Sequence, residues 1–266
     1  MMKVSYYPGC TLKNKARDLD LYARKCAQVF GIDLEEQEMW QCCGGVFTSA
    51  ADEVVTKLSS VRALRDAAAK GQPLLTVCSA CHNVIKRTNH AVVTDAAFAG
   101  KVNRYLGEDE SYDGGATVYH YLELLRDIVG FDKVKEKIVN PLNGKKIAAY
   151  YGCLLLRPGK VMAMDDVENP RIMEDLIRAL GAEPVIYPMR NECCGGYMAI
   201  EDKEAAEKRS RAVTDSAVGH GADRIVTACP LCKYNLEKIG GAPVVYFTEL
   251  LAEALGVKEV SDDDED

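Results

Sequence analysis

Ten of the eleven cysteines in this 266-residue chain follow one pattern that occurs twice. Each copy has a single cysteine, then a vicinal pair followed by two glycines, and then a Cys-x-x-Cys pair. In both copies 34 residues separate the vicinal pair from the Cys-x-x-Cys pair. The sets are Cys10, Cys42, Cys43, Cys78 and Cys81, and Cys153, Cys193, Cys194, Cys229 and Cys232. A repeat of this kind indicates two copies of one module.

Short apolar runs alternate with longer amphipathic segments in both copies. The runs are KVSYYPG, DLEEQEMW and PLLTVCS in the first copy and KIAAYYG, AEPVIYP and RIVTACP in the second. Their length and composition are typical of buried strands. The helical segments are predicted near 16–30, 47–70, 168–181 and 198–220. We therefore expect an α/β fold of two tandem pseudo-symmetric modules, each a small parallel sheet with flanking helices.

The order of strands and cysteines predicts where a functional site lies. Every cysteine group comes just after a predicted strand, and ligands of parallel sheets collect at the carboxyl ends of the strands. The stretch VNPLNGKK predicts a boundary between a first module at 1–140 and a second at 141–258. The acidic end, 259–266, is expected to be a disordered, solvated tail.

Composition excludes several classes of function. The formal net charge is −7, whereas nucleic-acid binding depends on clustered Lys and Arg, so no nucleic-acid partner is expected. No apolar run reaches the roughly 18–20 residues that cross a bilayer, and the N-terminus lacks the pattern of a signal peptide. We expect a cytoplasmic chain without a membrane span. In that compartment, eleven cysteines indicate metal or redox chemistry rather than disulfides.

Five cysteines per copy are one more than a tetrahedral zinc or a cubane iron–sulfur cluster needs. Two adjacent thiolates can reach two irons of one cluster, and the glycines after them leave space for a bulky group. Pro230 suits the first turn of a helix that begins at a Cys-x-x-Cys pair. These features favour an iron–sulfur cluster, with a zinc site and a spare buried cysteine as the alternative. Cys26, in helical phase with Leu19, Tyr22 and Phe30, is interpreted as a packing residue.

The doubled pattern resembles the B subunit of heterodisulfide reductase, a family with duplicated cysteine-rich CCG domains. The resemblance covers nearly the whole chain and includes YYPGC, YYGCLLLRP, NECCGG and CPLCKYNL. It implies two noncubane [4Fe-4S] clusters that flank one disulfide substrate. The implied ligands are Cys10, Cys42, Cys43, Cys78 and Cys81 for one cluster and Cys153, Cys193, Cys194, Cys229 and Cys232 for the other.

The resemblance also implies a complex of several polypeptides. The expected partners are a small ferredoxin-like protein with cubane clusters, a flavin-containing protein, and a hydrogenase or formate dehydrogenase module. The chain has no flavin-binding fingerprint and no ferredoxin-type run of cysteines, so its electrons are expected to come from another polypeptide. The implied substrate is a small anionic disulfide, namely that of coenzyme M and coenzyme B or an analogue.

This chemistry assigns roles to individual residues. One-electron carriers must deliver two electrons to split a disulfide, and two clusters on opposite sides of the bond can do so. Cys43 and Cys194 are therefore predicted to be catalytic. The candidate proton donor is His82, with packing around the cluster as its alternative role. The candidate contacts for the anionic substrate are Lys13, Arg157 and Arg190, with ordinary surface charge as the alternative.

Two other functions remain open from the sequence. Modules of this type also occur in thiol-dependent fumarate reductases, succinate- or lactate-oxidising systems and respiratory complexes, where they can relay electrons. A zinc-stabilised scaffold for a redox complex is the second alternative, and it is not an enzyme. Iron and acid-labile sulfide content separates this scaffold from the other two functions.

Overall fold

Eight short strands in the described part of the chain form two parallel sheets. The computed structural model describes residues 1–45, 53–107 and 110–258. The strands are β1 (Met2–Tyr7), β2 (Ile32–Glu36), β3 (Leu74–Thr76), β4 (Val118–His120), β5 (Lys146–Tyr150), β6 (Glu183–Val185), β7 (Arg224–Thr227) and β8 (Val244–Tyr246). Their order is β2-β1-β3-β4 in the first half and β6-β5-β7-β8 in the second, and every pairing is parallel. The predicted α/β fold of two tandem modules is confirmed.

The register of the strands brings their carboxyl ends to one level. Tyr7 lies beside Thr76, and Thr76 lies beside His120. The second half repeats this register, with Tyr150 beside Thr227. Because each cysteine group follows one of these strand ends, the register collects the thiols at one edge of each sheet.

Helices cover the faces of both sheets, as parallel strands require. The helices of the first half are α1 (Cys10–Asn14), α2 (Arg17–Val29), α3 (Glu53–Ala69), α4 (Ser79–Thr94), α5 (Ala96–Leu106), α6 (Tyr121–Glu123), a π-helical turn (Leu124–Val129) and α7 (Phe131–Glu136). Those of the second half are α8 (Gly159–Met162), α9 (Ile172–Ala179), two 3-10 turns (Pro188–Asn191 and Gly196–Ile200), α10 (Lys203–Gly219), α11 (Pro230–Ile239) and α12 (Phe247–Leu255).

The observed helices match the predicted segments, and α2, α9 and α10 are shorter than predicted at both ends. The segment predicted from 198 begins as a 3-10 turn, and α10 starts after Asp202, whose side chain accepts a hydrogen bond from the Ala205 amide as an N-cap. The predicted start of α3 and the predicted acidic tail fall on 46–52 and 259–266, which lie outside the described residues. Over the residues that are described, no helix is long and apolar enough to cross a lipid bilayer.

The last helix of each half packs against the first long helix of the other half. Helix α12 packs on α2, where Thr248 Oγ1 donates to the Leu19 carbonyl at 3.2 Å. Helix α7 packs on α9, and near it Arg126 Nη1 donates to the Met164 carbonyl at 2.6 Å. Buried side chains of both halves therefore belong to one continuous apolar core.

The two sheets approach each other at the ends of their third strands. The Ser79 amide and hydroxyl both donate to the Ala228 carbonyl, at 3.0 and 2.7 Å. The buried Tyr246 hydroxyl lies 2.9 Å from the same carbonyl and 2.8 Å from the Val77 carbonyl, and its one proton is shared between them. These bonds place the two Cys-x-x-Cys pairs next to each other.

Candidate metal centre

A glycine precedes the first cysteine of each set and leaves space for the last one. Gly9 has φ +80° and Gly152 has φ +63°, both in the region that glycine favours. A Cβ atom on Gly9 would lie 2.8 Å from Cys81 Sγ, and one on Gly152 would lie 3.3 Å from Cys232 Sγ. A side chain at Gly9 would therefore collide with Cys81 Sγ, and one at Gly152 would require a small shift of Cys232.

A tyrosine at the end of each central strand holds the loop that carries the vicinal pair. The Tyr7 hydroxyl donates to the Gln41 carbonyl, directly before the first vicinal pair. The Tyr150 hydroxyl donates to the Glu192 carbonyl at 2.7 Å, directly before the second pair. Sequence reasoning did not assign this role, although the tyrosine three residues before each first cysteine was a repeated signal.

The Cys-x-x-Cys pair of each half lies at the start of a helix. Cys78 is the N-cap residue of α4, and Cys229 is the N-cap residue of α11, which begins at Pro230 as expected. The first amides of a helix lack intrahelical partners, and the helix dipole is positive at this end. Both features stabilise negatively charged sulfur.

The five thiols of each set form a continuous series of neighbours. Sγ–Sγ distances are 3.7 Å for Cys10–Cys42 and 3.5 Å for Cys43–Cys81, and the Cys194–Cys232 distance is also 3.5 Å. The contacts run in the order Cys10, Cys42, Cys43, Cys81 and Cys78, and Cys153, Cys193, Cys194, Cys232 and Cys229. Across the described ranges, no three His, Cys, Asp or Glu side chains are arranged to hold a single metal ion.

The two sets of thiols meet at the centre of the molecule. The Cys78 thiol of the first set and the Cys229 thiol of the second lie close enough together that each shifts the pKa of the other. A small cavity beside this contact is lined by cysteines of the second set together with Ser79 and Tyr197. The structure thus brings all ten predicted ligands into one region that both halves build.

Close packing of the thiols sets their ionisation. Hydrogen bonds from Cys42 and Cys81 lower the pKa of Cys43 to about 3. Hydrogen bonds from Cys153 and the adjacent vicinal thiol lower the pKa of Cys193 to about 2. Repulsion between sulfurs opposes full ionisation of a set, and a cationic metal assembly would remove that penalty.

These observations fit an iron–sulfur group in each half. The donors are thiols, which are the ligands of such clusters. Glycine backbone replaces side chains where a bulky group would come close, and helix N-termini face the sulfurs. The residues able to hold the two groups are the five cysteines of each set.

All three predicted substrate-binding cations form ion pairs within the chain. Lys13 Nζ lies 3.1 Å from Glu36 Oε2. Arg157 Nη1 donates to the Asn191 carbonyl at 3.0 Å, and its Nη2 lies 3.1 Å from Glu168 Oε1. Arg157 thus bridges the segment after Cys153 to the loop before the second vicinal pair, and its contact with substrate stays a prediction.

Arg190 is the most enclosed of the three predicted cations. It is 7% exposed, its Nη2 donates to Asn169 Oδ1, and its Nε lies 3.4 Å from Glu174 Oε1. The Arg190 carbonyl accepts from the Tyr151 amide at 2.8 Å. These contacts give Arg190 a role in positioning the second loop, while a direct role toward substrate stays a prediction.

His82 lies in a buried cluster behind the first set of thiols. Its ring packs edge-on against His120, with 5.4 Å between the ring centres. Its Nε2 lies 3.3 Å from Glu123 Oε2 without hydrogen-bond geometry, and Lys86 binds the other carboxylate oxygen at 3.0 Å. Burial, with the nearby His120 and Lys86, lowers the pKa of His82 well below its ordinary value. His82 is therefore neutral here, and proton donation by it stays a prediction.

Cys26 lies away from both sets, as its sequence context predicts. It is fully buried, and its sulfur lies 3.9 Å from the Thr248 carbonyl at the contact between α2 and α12. Burial raises the pKa of Cys26 to about 12, so the thiol stays neutral. Its role is packing between the halves.

Comparison with known proteins identifies the repeated module. The family model described as CCG, cysteine-rich domain, matches residues 4–86 and 147–237. Each match contains one complete set of five cysteines. The matched segments together cover more than half of the chain.

Curated relatives are similar over almost the full length of the chain. An 8-methylmenaquinol:fumarate reductase membrane anchor subunit of Wolinella succinogenes is 31% identical over 95% of this chain and 92% of its own. The B subunit of a ferredoxin/F(420)H(2)-dependent CoB-CoM heterodisulfide reductase of Methanosarcina acetivorans is 30% identical over 96% of this chain and 90% of its own. A protein of Archaeoglobus profundus, named as like the B subunit of heterodisulfide reductase, is 29% identical over 96% and 91%.

One solved structure shares the fold of the whole chain. A hypothetical protein from Helicobacter pylori matches 96% of this chain with a TM-score of 0.74 at 11% identity. The chain spans 49% of that protein's length. At this identity the likeness concerns the fold alone.

Proposed function

Because the chain belongs to the CCG cysteine-rich domain family, we propose that it is the catalytic iron–sulfur subunit of a heterodisulfide reductase-like complex. The reaction is the reduction of a disulfide to two thiols. The substrate is the disulfide of coenzyme M and coenzyme B or an analogous small anionic disulfide. Relatives named as the B subunit of heterodisulfide reductase, which align over nearly the whole chain, support this function.

The observation that carries the proposal is the meeting of the two thiol sets. Hydrogen bonds from Ser79 to the Ala228 carbonyl hold the two Cys-x-x-Cys pairs side by side, and the cavity beside them is lined by Ser79 of the first half and by cysteines of the second. A disulfide has two sulfur atoms, and a site with two equivalent metal-binding sets can act on both. A single set in an isolated module would lack this arrangement.

Two noncubane [4Fe-4S] clusters are the proposed cofactors, each held by the five cysteines of one half. When bound, such clusters supply single electrons and iron atoms to which sulfur can bind. Cys43 and Cys194, each 4% exposed, are the buried members of the two vicinal pairs. Gly9 and Gly152 keep side chains out of the space beside the sulfurs.

The overall reaction consumes two electrons and two protons. The S–S bond breaks, each sulfur gains one electron and one proton, and two thiols leave. The electrons come from a partner that carries iron–sulfur clusters or flavin, because the ten thiols provide sites for two clusters only. The proposed partners are a ferredoxin-like protein with cubane clusters, a flavin-containing protein and a hydrogenase or formate dehydrogenase module.

Anaerobic purification followed by metal analysis and an activity assay tests this function. Iron and acid-labile sulfide in about equal amounts, with negligible zinc, are expected. With a reduced viologen as electron donor, the protein should reduce the disulfide of coenzyme M and coenzyme B or another small anionic disulfide to thiols. A zinc-loaded protein, or an iron–sulfur protein that reduces no disulfide in such a panel, would contradict the proposal.

Electron relay is the second candidate function. The observation that favours it is the similarity to the fumarate reductase protein of Wolinella succinogenes. In a complex of that type, the chain would pass electrons from a quinol-reactive partner to a flavin-containing one. Co-purification from the native cell with a fumarate- or succinate-active partner, together with no disulfide reductase activity, would favour the relay.

A further inference from the structure

Tyr197 of the second half reaches across to the first half. It directly follows the second Cys-Cys-Gly-Gly loop, in the 3-10 turn Gly196–Ile200. Its hydroxyl donates a hydrogen bond of 2.7 Å to the carbonyl of Gly45. Gly45 is the last glycine of the first Cys-Cys-Gly-Gly loop. The bond therefore joins the two loops that carry the vicinal cysteines.

The position of Tyr197 also places it between the two thiol sets. Its side chain lines the central cavity together with Ser79 of the first half and with Cys153 and Cys229 of the second. Burial, together with the nearby Cys229, Cys43, Cys78 and Cys153, raises the pKa of the Tyr197 phenol. Tyr197 thus lies within electrostatic reach of both predicted clusters.

The second loop is the better supported of the two. A Cβ atom on Gly196 would lie 2.8 Å from Asn235 Nδ2 and 3.0 Å from a Leu231 methyl, both on α11. A Cβ atom on Gly45 would find ordinary contacts of 3.4 Å or more. The second loop is therefore packed tightly on α11. The side chain of Tyr197 extends from this loop and contacts the first loop.

The other hydrogen bonds that hydroxyl groups donate between the halves lie outside the vicinal loops. Those of Ser79 and Tyr246 bind carbonyls at the ends of β3 and β7, and that of Thr248 binds the Leu19 carbonyl on α2, so all three belong to the scaffold. Within the described residues, the Tyr197 bond is the direct hydrogen bond between the two vicinal loops. Loss of the Tyr197–Gly45 hydrogen bond would leave the sheets in place and would allow one vicinal loop to move relative to the other.

We propose that Tyr197 is a positioning residue that fixes the first vicinal pair relative to the second, so that both sites act on one disulfide. This inference rests on the proposed two-cluster function. A displacement of about 1 Å between reacting groups can cost on the order of 100-fold in rate. The hydroxyl of Tyr197 would therefore affect turnover without binding metal.

The test replaces Tyr197 by Phe in the anaerobically purified protein, which removes the hydroxyl and keeps the ring. The matched control is Tyr121→Phe, because the buried Tyr121 hydroxyl also donates to a backbone carbonyl, that of Ala23, at 2.9 Å within the first half. Iron and sulfide content should equal those of the wild type in both variants. In Tyr197→Phe, peptides that cover 40–45 should exchange their amide hydrogens faster, and kcat should fall roughly 10- to 100-fold with little change in KM.

Two results would overturn the proposal. One is unchanged amide exchange in the first loop of Tyr197→Phe. The other is a kcat that stays at the wild-type value or falls equally in Tyr121→Phe. If the wild-type protein reduces no disulfide, the proposed function fails, and amide exchange alone decides whether Tyr197 positions the loop.

Discussion

At the scale of single residues, Gly9 shows how the sequence makes space for a cluster. Its backbone has φ +80° and ψ 160°, a conformation that is almost restricted to glycine. A side chain there would also collide with Cys81 Sγ at 2.8 Å. The Gly-Cys step is thus a structural requirement of the site, in addition to the cysteine.

We expect Gly9→Ala to lower stability by roughly 1–3 kcal/mol through backbone strain and to reduce iron incorporation strongly. Gly71→Ala is the matched control, since Gly71 has φ +63° and a Cβ atom there would meet nothing within 4 Å. Iron content and urea unfolding of both variants check the prediction. Equal iron content in the two variants would show that contact with the sulfur does not matter.

The buried cysteines of the two vicinal pairs are expected to be essential for turnover. Cys43→Ala and Cys194→Ala should each abolish disulfide reduction while leaving a folded chain, because in the proposed two-site reaction each removes a predicted ligand from one of the two sites. Cys26→Ala is the control, since this thiol is buried away from both sets and its loss should cost about 1 kcal/mol of stability. Viologen-linked activity measures turnover, and circular dichroism measures whether each variant is folded. Full activity of Cys43→Ala or Cys194→Ala would refute the two-site reaction.

At the scale of elements, helix α10 supports the second vicinal loop. Helix α10 begins at its N-cap Asp202, and further along it Ser210 Oγ donates to the Cys194 carbonyl at 2.8 Å. Helix α5 has the same type of cap at Asp95, whose side chain accepts from the Ala97 and Phe98 amides. The two caps are chemically alike, but the contact to a predicted ligand comes from α10.

Asp202→Ala and Asp95→Ala should each lower the free energy of unfolding by about 1 kcal/mol. Only Asp202→Ala should also change the second site, because α10 supports the vicinal loop there. The measurements are chemical unfolding and the EPR spectrum of the oxidised protein with added thiol. An identical spectrum in both variants would argue against a supporting role of α10.

At the scale of the whole molecule, the halves are interlocked. Helix α12 covers α2, and Leu251 shares one apolar cluster with Leu19 and Ala23. The boundary predicted at VNPLNGKK stays a prediction, and one apolar cluster contains buried residues from both sides of it. The last helix of each half packs against the other half, and this packing also explains how the two sheets keep a fixed position relative to each other at the site.

Leu251→Ala should lower stability by about 2–5 kcal/mol and speed amide exchange in α2 as well as in α12. Leu236→Ala, in α11 and in the apolar cluster of the second half, is the control. It should have a comparable effect on stability and leave exchange in α2 unchanged. Hydrogen exchange with mass spectrometry distinguishes the two variants. Unaltered amide exchange of α2 in Leu251→Ala would contradict a core shared by the two halves.

The sequence by itself determined the repeat, the α/β class and the placement of each cysteine after a strand, because these depend on local patterns of apolar residues, glycine and spacing. It also identified Pro230 as a helix start and Cys26 as a packing residue. Only the tertiary structure decided how the repeats meet. Residues far apart in the chain are joined by the proximity of Cys78 to Cys229, by the Tyr197–Gly45 hydrogen bond and by the packing of the last helix of each half on the other half. No local sequence pattern specifies contacts between such distant residues. The same limit applies to Arg190, whose burial beside Glu174 depends on how separate elements pack.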